Sequence, residues 1–307
     1  IGYEELKKFG TWRVKTMGRT PVLSTITTHN SAMNRVFDTA IERGWIAQAQ
    51  VPKLKNNGKK GTAREAFSLS DYKSLVGYMP HWIDKGHTEK SNQMRRLLRD
   101  YVLVLSNTGV RHGTEAMGIK WRDIEWHTDK GIRYLRIWVD GKTGGRWLIA
   151  KHKAVEVLKR LHSRQKDVAA LSFETTLESR VPHLLFRFSD GHQPHSLVGT
   201  FRRLMRDSGL ALDANGDNRT LYSLRHTYAT LEMLRGEVDI HTLSKQMGNS
   251  AAMIERHYSH LKVIQAVEQL IGAETRRKIA AVSTVEDIYK STQDKKVEKN
   301  IKGRRKP

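Results

Sequence analysis

Cysteine is absent from the 307-residue sequence, and long hydrophobic runs are absent as well. Without cysteine the chain has neither a disulfide framework nor a thiolate metal site, which is typical of a reducing compartment. No stretch approaches the ~20 apolar residues of a membrane-spanning helix, and no hydrophobic signal segment opens the chain. We therefore expect a soluble, cytoplasmic protein rather than a membrane protein. The chain starts at Ile1 rather than Met, which leaves open whether a segment precedes it.

Clusters of acidic residues are lacking too, and this bears on the kind of chemistry. No grouping of Asp and Glu has the spacing that a two-metal nuclease needs. His192 and His195 flank a Gln-Pro pair, and we interpret them as loop histidines rather than metal ligands. The sequence thus predicts no bound metal and no other cofactor.

The charges that are present are strongly basic. The 54 Lys and Arg residues exceed the 32 Asp and Glu residues and leave a formal net charge of +22. An excess this large in a globular chain indicates a polyanionic partner, and nucleic acid is the first candidate. An acidic membrane surface is the competing partner, and the lack of apolar segments argues against it.

Apolar periodicity predicts a small helical domain at the start of the chain, over residues 1–52. Between Ile26 and Ile41 apolar residues recur at helical spacing, and Gly44 supplies a stop. A shorter helix is predicted for residues 3–17. The predicted apolar stripe of the second helix consists of Met33, Val36, Phe37, Ala40 and Ile41.

A stretch rich in lysine, without periodicity, follows this domain. We interpret residues 53–66 as a flexible basic linker. The alternative is an exposed loop within a single domain. Four of its lysines are candidates for contact with DNA phosphates, namely Lys53, Lys55, Lys59 and Lys60.

The rest of the chain predicts a second domain over residues 67–275, mostly helical with a small antiparallel β-sheet. The β-prone segments 134–139 and 146–149 are separated by a glycine-rich turn and predict a hairpin with Lys142 at its tip. Apolar stripes typical of helices follow, beginning at Ala154, Leu197 and Leu221. Residues 276–307 are assigned to a basic C-terminal tail, and the last part of it is predicted to be disordered.

Three separated parts of this domain carry the residue types that phosphodiester chemistry needs. They are Thr108-Gly-Val-Arg-His-Gly-Thr-Glu115, the hairpin tip at Lys142, and Tyr222-Ser-Leu-Arg-His226 with the later pieces Met247-Gly-Asn249 and His257-Tyr258. In order and spacing, across residues 65–262, they resemble the tyrosine recombinase family of lambda-type phage integrases. The resemblance implies a mainly α fold with a small antiparallel β-sheet, in which a helical core-binding domain precedes a mixed α/β catalytic domain.

The resemblance also implies roles for single residues. Arg111 and Arg225 match the two arginines that bind the phosphate, and Glu115 matches the acidic residue that helps to hold the first of them. Lys142 matches the hairpin lysine that acts as a general acid.

Tyr258 matches the nucleophile, and it follows Asn249 by 258 − 249 = 9 residues, the family's spacing between the last polar active-site residue and the tyrosine. Two positions depart from the family pattern. Tyr222 stands where most members have histidine, and Asn249 stands where they have histidine or tryptophan. Both side chains can donate a hydrogen bond to a phosphate oxygen, but neither is a good base near neutral pH. The base for Tyr258 stays open at this point, with His226 and His257 as alternatives nearby in sequence.

The chemistry of the reaction explains why these residue types are needed. A free tyrosine, with a pKa of about 10, is only ~0.1% phenolate at neutral pH, and its attack on an anionic diester must also overcome repulsion. Guanidinium groups bind the non-bridging oxygens and stabilise the charge that grows in the transition state. A lysine with a lowered pKa can protonate the departing 5′ oxygen. Because the tyrosyl ester keeps the energy of the broken bond, the strand can be rejoined without ATP.

The partners follow from the same resemblance. It implies double-stranded DNA with att-like inverted-repeat sites, a homotetramer that acts on two duplexes through a Holliday junction, and room for an accessory DNA-bending or directionality factor. Residues 263–271 are expected to form a helix that docks on a neighbouring protomer. The implied location is the nucleoid of a bacterial cell, with a phage or another mobile element as the source. Two alternatives stay open: a related enzyme that relaxes supercoils or resolves hairpin ends, and a DNA-binding protein of the same fold without catalysis.

Overall fold

The computed structural model describes residues 3–59, 66–141 and 144–255. The chain divides into two compact units, Ile1–Ala63 and Arg64–Pro307. This division falls inside the predicted linker, while the predicted domain boundaries themselves stay a prediction. Among the helices in the described ranges, none is long and apolar enough to cross a membrane.

Two helices form the first unit, α1 (Tyr3–Met17) and α2 (Leu23–Glu42). One side of α2 buries Ile26, Asn30 and Phe37. Val36, which belongs to the predicted stripe, is 59% exposed instead. It precedes Phe37 by one residue, and one residue rotates a side chain by about 100° around a helix axis. The predicted helix is therefore present, but the prediction that Val36 lies on its buried face is wrong.

Residues 53–59 lie along α2 and make hydrogen bonds that a flexible linker would not make. Asn30 donates from Nδ2 to the carbonyl of Lys55 at 3.1 Å, and the amide of Leu23 donates to the carbonyl of Lys59 at 2.9 Å. Asn30 is buried, so its amide group needs partners inside the protein. Over residues 53–59 the chain thus differs from the flexible linker that the sequence predicts, because a buried asparagine binds it.

In the second unit, four of the longer helices pack around a central one, α4. The helices of this unit are α3 (Leu69–Asp84), α4 (Glu89–Thr108), α5 (Thr114–Met117), α6 (His152–Arg164), α7 (Lys166–Ala169), α8 (Phe173–Glu178), α9 (Val198–Asp207), α10 (Leu221–Arg235) and α11 (Ile240–Met247). α4 contacts α3, α6, α9 and α10, and its Leu98 and Tyr101 are fully buried. The stripes predicted to begin at Ala154, Leu197 and Leu221 are the buried faces of α6, α9 and α10.

A three-stranded antiparallel sheet packs against these helices. Its strands are β1 (Ile124–Asp129), β2 (Ile132–Gly141) and β3 (Gly144–Ala150), and they follow one another in the sheet in the same order as in the chain. β2 and β3 form the predicted hairpin, with Trp138 opposite Trp147. The other face of β2 buries Ile137 and Val139. Arg146 lies opposite Val139 in the register, so it shares this buried face.

A small hydrophobic core joins α10, α11 and the helical residues 251–255 that follow. It consists of Tyr228, Ala229, Met233, Leu243, Met247 and Ile254. Gly236 ends α10 and Gly248 ends α11, with left-handed φ values of 71° and 62°. Glycine adopts this conformation without the steric penalty of a side chain. The core holds the end of α11 against α10, and thereby places the residues after Met247.

Candidate active site

Arg111 lies in the turn that leads from α4 to α5. α4 ends at Gly109, which has a left-handed φ of 68°. The backbone amide of Arg111 donates to Glu115 Oε1 at 3.1 Å, and its Nη1 donates to Glu115 Oε2 at 3.0 Å. Glu115 therefore holds both the main chain and the side chain of Arg111, which is the pairing that the motif predicts.

Arg225 reaches the same place from α10. It is 1% exposed, and its guanidinium group donates to the carbonyls of Gly109 and Met247. Nη2 of Arg225 also donates to Asn249 Oδ1 at 2.9 Å. Burial lowers the pKa of Arg225 to about 10, and the positive charges of neighbouring arginines act in the same direction. The group is still cationic at neutral pH.

Asn249 follows the end of α11 and joins the two arginines. Its Oδ1 accepts from Arg225 Nη2 at 2.9 Å and from Arg111 Nη2 at 3.3 Å. One oxygen atom thus lies between guanidinium groups whose residues are 225 − 111 = 114 positions apart in the chain. Because Oδ1 is the acceptor, Nδ2 is the donor that the amide still offers.

A third guanidinium group, from Arg146 on β3, shares the Glu115 carboxylate and was missed in the sequence. Arg146 donates from Nη2 to Oε1 at 2.5 Å and from Nη1 to Oε2 at 3.2 Å. Burial of Glu115 opposes ionisation of its carboxyl group, but hydrogen bonds from Arg146 and Arg111 outweigh this and lower its pKa below the ordinary value. A signal for Arg146 does exist in the sequence. Arg146 occupies an inward-facing position in a strand of alternating residues, and a charged side chain there needs a buried partner.

Tyr222 and His226 lie on α10, before and after Arg225 in the sequence. Both are half-buried, and their ring centroids are 5.0 Å apart with the ring planes at 71°. Residues four apart share one face of a helix. The ring of His226 is therefore held against that of Tyr222, rather than being enclosed in the core.

Four predicted site residues lie outside the described residues, namely Lys60, Lys142, His257 and Tyr258. Their neighbours in the chain are described. Lys142 follows Gly141, and a Cβ atom at Gly141 would lie 2.4 Å from Glu115 Oε2, so the end of β2 is close to the arginine cluster. Tyr258 follows the fully buried Ile254 by four residues.

The remaining lysines that are predicted to contact DNA, and the two predicted loop histidines, lie on the surface. Lys53, Lys55 and Lys59 have exposed side chains in the first unit. His192 and His195 are exposed on a loop. Within the described ranges, no group of three or more His, Asp or Glu residues could hold a metal ion.

Comparison with known proteins decides the family. The model of the phage integrase family matches residues 70–263, which is more than half of the chain. The chain belongs to the phage integrase family. It is accordingly a tyrosine-type site-specific DNA recombinase, and the match spans all the residues of the motif from Arg111 to Tyr258. No curated protein sequence matches the chain.

Solved structures of integrases and recombinases on DNA have the same fold as this family member. The Tn1549 transposon integrase with circular intermediate DNA has a TM-score of 0.57 at 15% identity, covering 91% of this chain and 85% of that chain. XerH recombinase bound to difH has a TM-score of 0.57 at 20% identity, covering 87% and 70%. A lambda integrase tetramer bound to a Holliday junction has a TM-score of 0.51 at 17% identity, covering 83% and 64%. The predicted fold, mainly helical with a small antiparallel sheet, is confirmed.

Proposed function

We propose that this phage integrase family member cleaves and rejoins DNA through a 3′-phosphotyrosyl intermediate, with Tyr258 as the nucleophile. The observation that carries the proposal is the convergence of Arg111 and Arg225 on Oδ1 of Asn249. Guanidinium groups that share one amide oxygen have the geometry to share a non-bridging oxygen of a phosphodiester. A phosphate oxygen bound next to Asn249 would therefore lie within reach of both guanidinium groups.

The charge of this cluster supports the same reaction. Arg111 and Arg146 bind the Glu115 carboxylate, and Arg225 interacts with it electrostatically. These four side chains together carry 3 − 1 = +2 formal charges. A phosphodiester carries one negative charge, and it gains a second as a phenolate oxygen attacks. Fixed positive groups in a partly buried site stabilise such growing charge more strongly than water does. The cluster therefore favours the transition state over the bound diester.

The proposed reaction exchanges one phosphoester bond for another. The phenolate oxygen of Tyr258 attacks phosphorus, the bond from phosphorus to the 5′ oxygen breaks, and the departing oxygen takes a proton from Lys142. Rejoining runs the same exchange backwards, with the 5′ hydroxyl group of a strand as the nucleophile. Tyr222 and Asn249 would donate hydrogen bonds to the phosphate. No ATP is needed, because the number of phosphoester bonds does not change.

We further propose that four protomers act on two duplexes at att-like inverted repeats, passing through a Holliday junction. The similar lambda integrase structure, a tetramer bound to a Holliday junction, supports this proposal. The exposed side chains of Lys53, Lys55 and Lys59 would bind DNA phosphates, with Lys60 beside them in sequence. An accessory DNA-bending or directionality factor belongs to the same proposal, as does a location in the nucleoid.

A covalent trapping experiment tests the proposed function. Duplexes that the protein binds are first selected from a random-sequence library. They are then made with a nick beside the cleaved bond, so that the strand end is lost after cleavage and rejoining is prevented. We expect the wild-type protein to form a covalent adduct with this DNA in EDTA, visible as a band shift in a denaturing gel. Tyr258→Phe should abolish the adduct, because it removes the attacking oxygen.

Tyr134→Phe is the matched control, since Tyr134 lies on β2 and packs against His127. It removes a phenol oxygen elsewhere in the chain and should leave the adduct unchanged. An adduct that persists in Tyr258→Phe would show that another residue is the nucleophile. If the wild-type protein binds selected DNA but forms no adduct, the protein is a DNA-binding member of the fold without catalysis.

A further inference from the structure

The Arg146 side chain connects three parts of the active site, although it is only 12% exposed and has little access to DNA. From its contacts with Glu115, Gln246 and Gly248, we infer that Arg146 is a positioning residue that orients Arg111 and Asn249 toward the scissile phosphate. This inference rests on the proposed function, and it adds to it a residue whose own role is to hold other catalytic groups.

Arg146 first fixes the carboxylate that holds Arg111. Each oxygen of Glu115 receives one hydrogen bond from Arg111 and one from Arg146, at 2.5–3.2 Å. A carboxylate offers about four lone-pair positions to donors, and these four bonds occupy them. Glu115 therefore has one favoured orientation, and Arg111 is held in the orientation that matches it.

The second contact of Arg146 fixes the end of α11. Its Nε donates to the carbonyl of Gln246 at 3.1 Å. The side chain of Gln246 pairs with β3 as well, because it accepts from the amide of Ile149 at 3.0 Å and donates to the carbonyl of Ile149 at 3.1 Å. The last turn of α11 is thus joined to β3 through both the main chain and the side chain of one residue. Asn249 follows three residues later.

Gly248 is the third contact, and it shows how closely the turn after α11 lies on Arg146. A Cβ atom at Gly248 would lie 2.7 Å from Cζ of Arg146. The same glycine accepts a hydrogen bond from Arg111 through its carbonyl oxygen. The backbone before Asn249 therefore lies between two guanidinium groups. Any residue larger than glycine at position 248 would push against the guanidinium group of Arg146.

A lysine at position 146 separates geometry from charge. Arg146→Lys keeps the positive charge, but an ammonium group on a flexible stem cannot reproduce the planar fork that binds both Glu115 oxygens and the Gln246 carbonyl. We expect single-turnover adduct formation to slow by about 10- to 100-fold, since a misplacement of about 1 Å in a catalytic group can cost on the order of 100-fold in rate. DNA affinity should stay at the wild-type value, because the Arg146 side chain is mostly buried and the variant keeps its charge.

Arg136→Lys is the matched control. Arg136 lies on the neighbouring strand, binds Glu125 through Nε and Nη2 at 2.8 Å and 2.6 Å, and lies on the sheet face opposite to Arg146. The control should cleave at the wild-type rate. Thermal unfolding of both variants checks that each is folded under the conditions of cleavage.

A neutral substrate distinguishes positioning from a general structural effect. Replacing a non-bridging oxygen of the scissile phosphate with a methyl group removes the charge that Arg111 must compensate. Arg111→Ala should therefore lose much less activity on the methylphosphonate than on the phosphate. If Arg146 acts through Arg111, the defect of Arg146→Lys should shrink in the same way. A substrate change of this kind does not repair a misfolded protein.

Three results would decide against this inference or its basis. A wild-type rate for Arg146→Lys overturns the inference alone, and so does an equal defect on both substrates in a folded variant. No adduct with the wild-type protein overturns the proposed function and the inference together. Gly248→Ala is a second variant with the same expected pattern, because its Cβ would lie 2.7 Å from Cζ of Arg146 and would displace the guanidinium group.

Discussion

Replacing Glu115 with glutamine removes the one negative charge in the arginine cluster and keeps the size of the side chain. Glu115 is 4% exposed and accepts hydrogen bonds from both Arg111 and Arg146. In Glu115→Gln these guanidinium groups lose their shared counter-ion while they stay mostly buried. The new amide nitrogen also faces them with donors of its own. We therefore expect a less stable fold and a displaced Arg111.

The size of the loss follows from the burial of the group. Removing one partner of a buried ion pair costs about 3–5 kcal/mol, because it leaves an uncompensated charge. The total free energy of unfolding of a typical domain is only about 5–15 kcal/mol. At neutral pH, Glu115→Gln should thus lose a large part of the stability of the unit that contains it.

The dependence of this loss on pH has a definite sign. The pKa of Glu115 is lowered in the folded protein. Its carboxylate therefore stabilises the fold above the unfolded pKa of about 4.3, and this contribution disappears as the pH falls through the lower, folded pKa. Glutamine does not titrate. The difference between the wild-type protein and Glu115→Gln should be largest at neutral pH and should shrink in acid.

Urea unfolding followed by tryptophan fluorescence, at neutral pH and in acid, measures both effects. Glu125→Gln is the matched control, since Glu125 pairs with Arg136 and Arg180 on the outer face of the sheet at 24% exposure. An ion pair nearer to solvent contributes about 1 kcal/mol or less to stability. The free energy of unfolding of the control should therefore fall only slightly. Equal losses in the two variants would refute the reasoning, as would a loss for Glu115→Gln that does not change with pH.

Two more substitutions test the packing around the site. Gly109→Ala would place a Cβ 2.5 Å from Cδ1 of Tyr228, at a residue whose φ is 68°. We expect the free energy of unfolding to fall by roughly 1–2 kcal/mol because of the left-handed conformation, and by a further 1–3 kcal/mol, roughly, because of the overlap with Tyr228. DNA cleavage should slow as well, because the Gly109 carbonyl binds Arg225. Gly216→Ala is the control, since Gly216 has a φ of 78° but open space around it. In thermal unfolding it should show only the loss of stability that comes from the conformation. Asp100→Asn changes a fully buried carboxylate that binds two arginines of α6, and we expect a loss of about 3–5 kcal/mol. An unchanged urea midpoint for Asp100→Asn would contradict this expectation.

Local periodicity located several of the elements, although it did not single out α4, the helix at the centre of the second unit. The stripes of α6, α9 and α10 and the alternation of β2 and β3 are visible in the sequence, because a side chain that faces a core must recur with the period of its element. The short elements α5, α7, α8 and β1 have four to six residues each. A segment of that length spans too few repeats for a period to show.

The motif residues were found by order and spacing, and the contact between Arg111 and Glu115 is local enough to be predicted. The position of Asn249 Oδ1 between two guanidinium groups was not predictable, because it depends on how the end of α11 packs against α10. The roles of Tyr258 and Lys142 stay predictions. Their described neighbours, Ile254 and Gly141, lie in the small core and beside Glu115.

The sequence by itself determined the charge, several of the helices and the hairpin, because these depend on composition and on neighbours a few positions away. Only the tertiary structure brought Arg146 to Glu115 and tied residues 53–59 to Asn30. Both are buried polar groups whose partners lie 25 or more positions away in the chain. Burial makes an unpaired charge or amide costly, but it does not specify which distant residue supplies the partner. The packing of whole elements decides that.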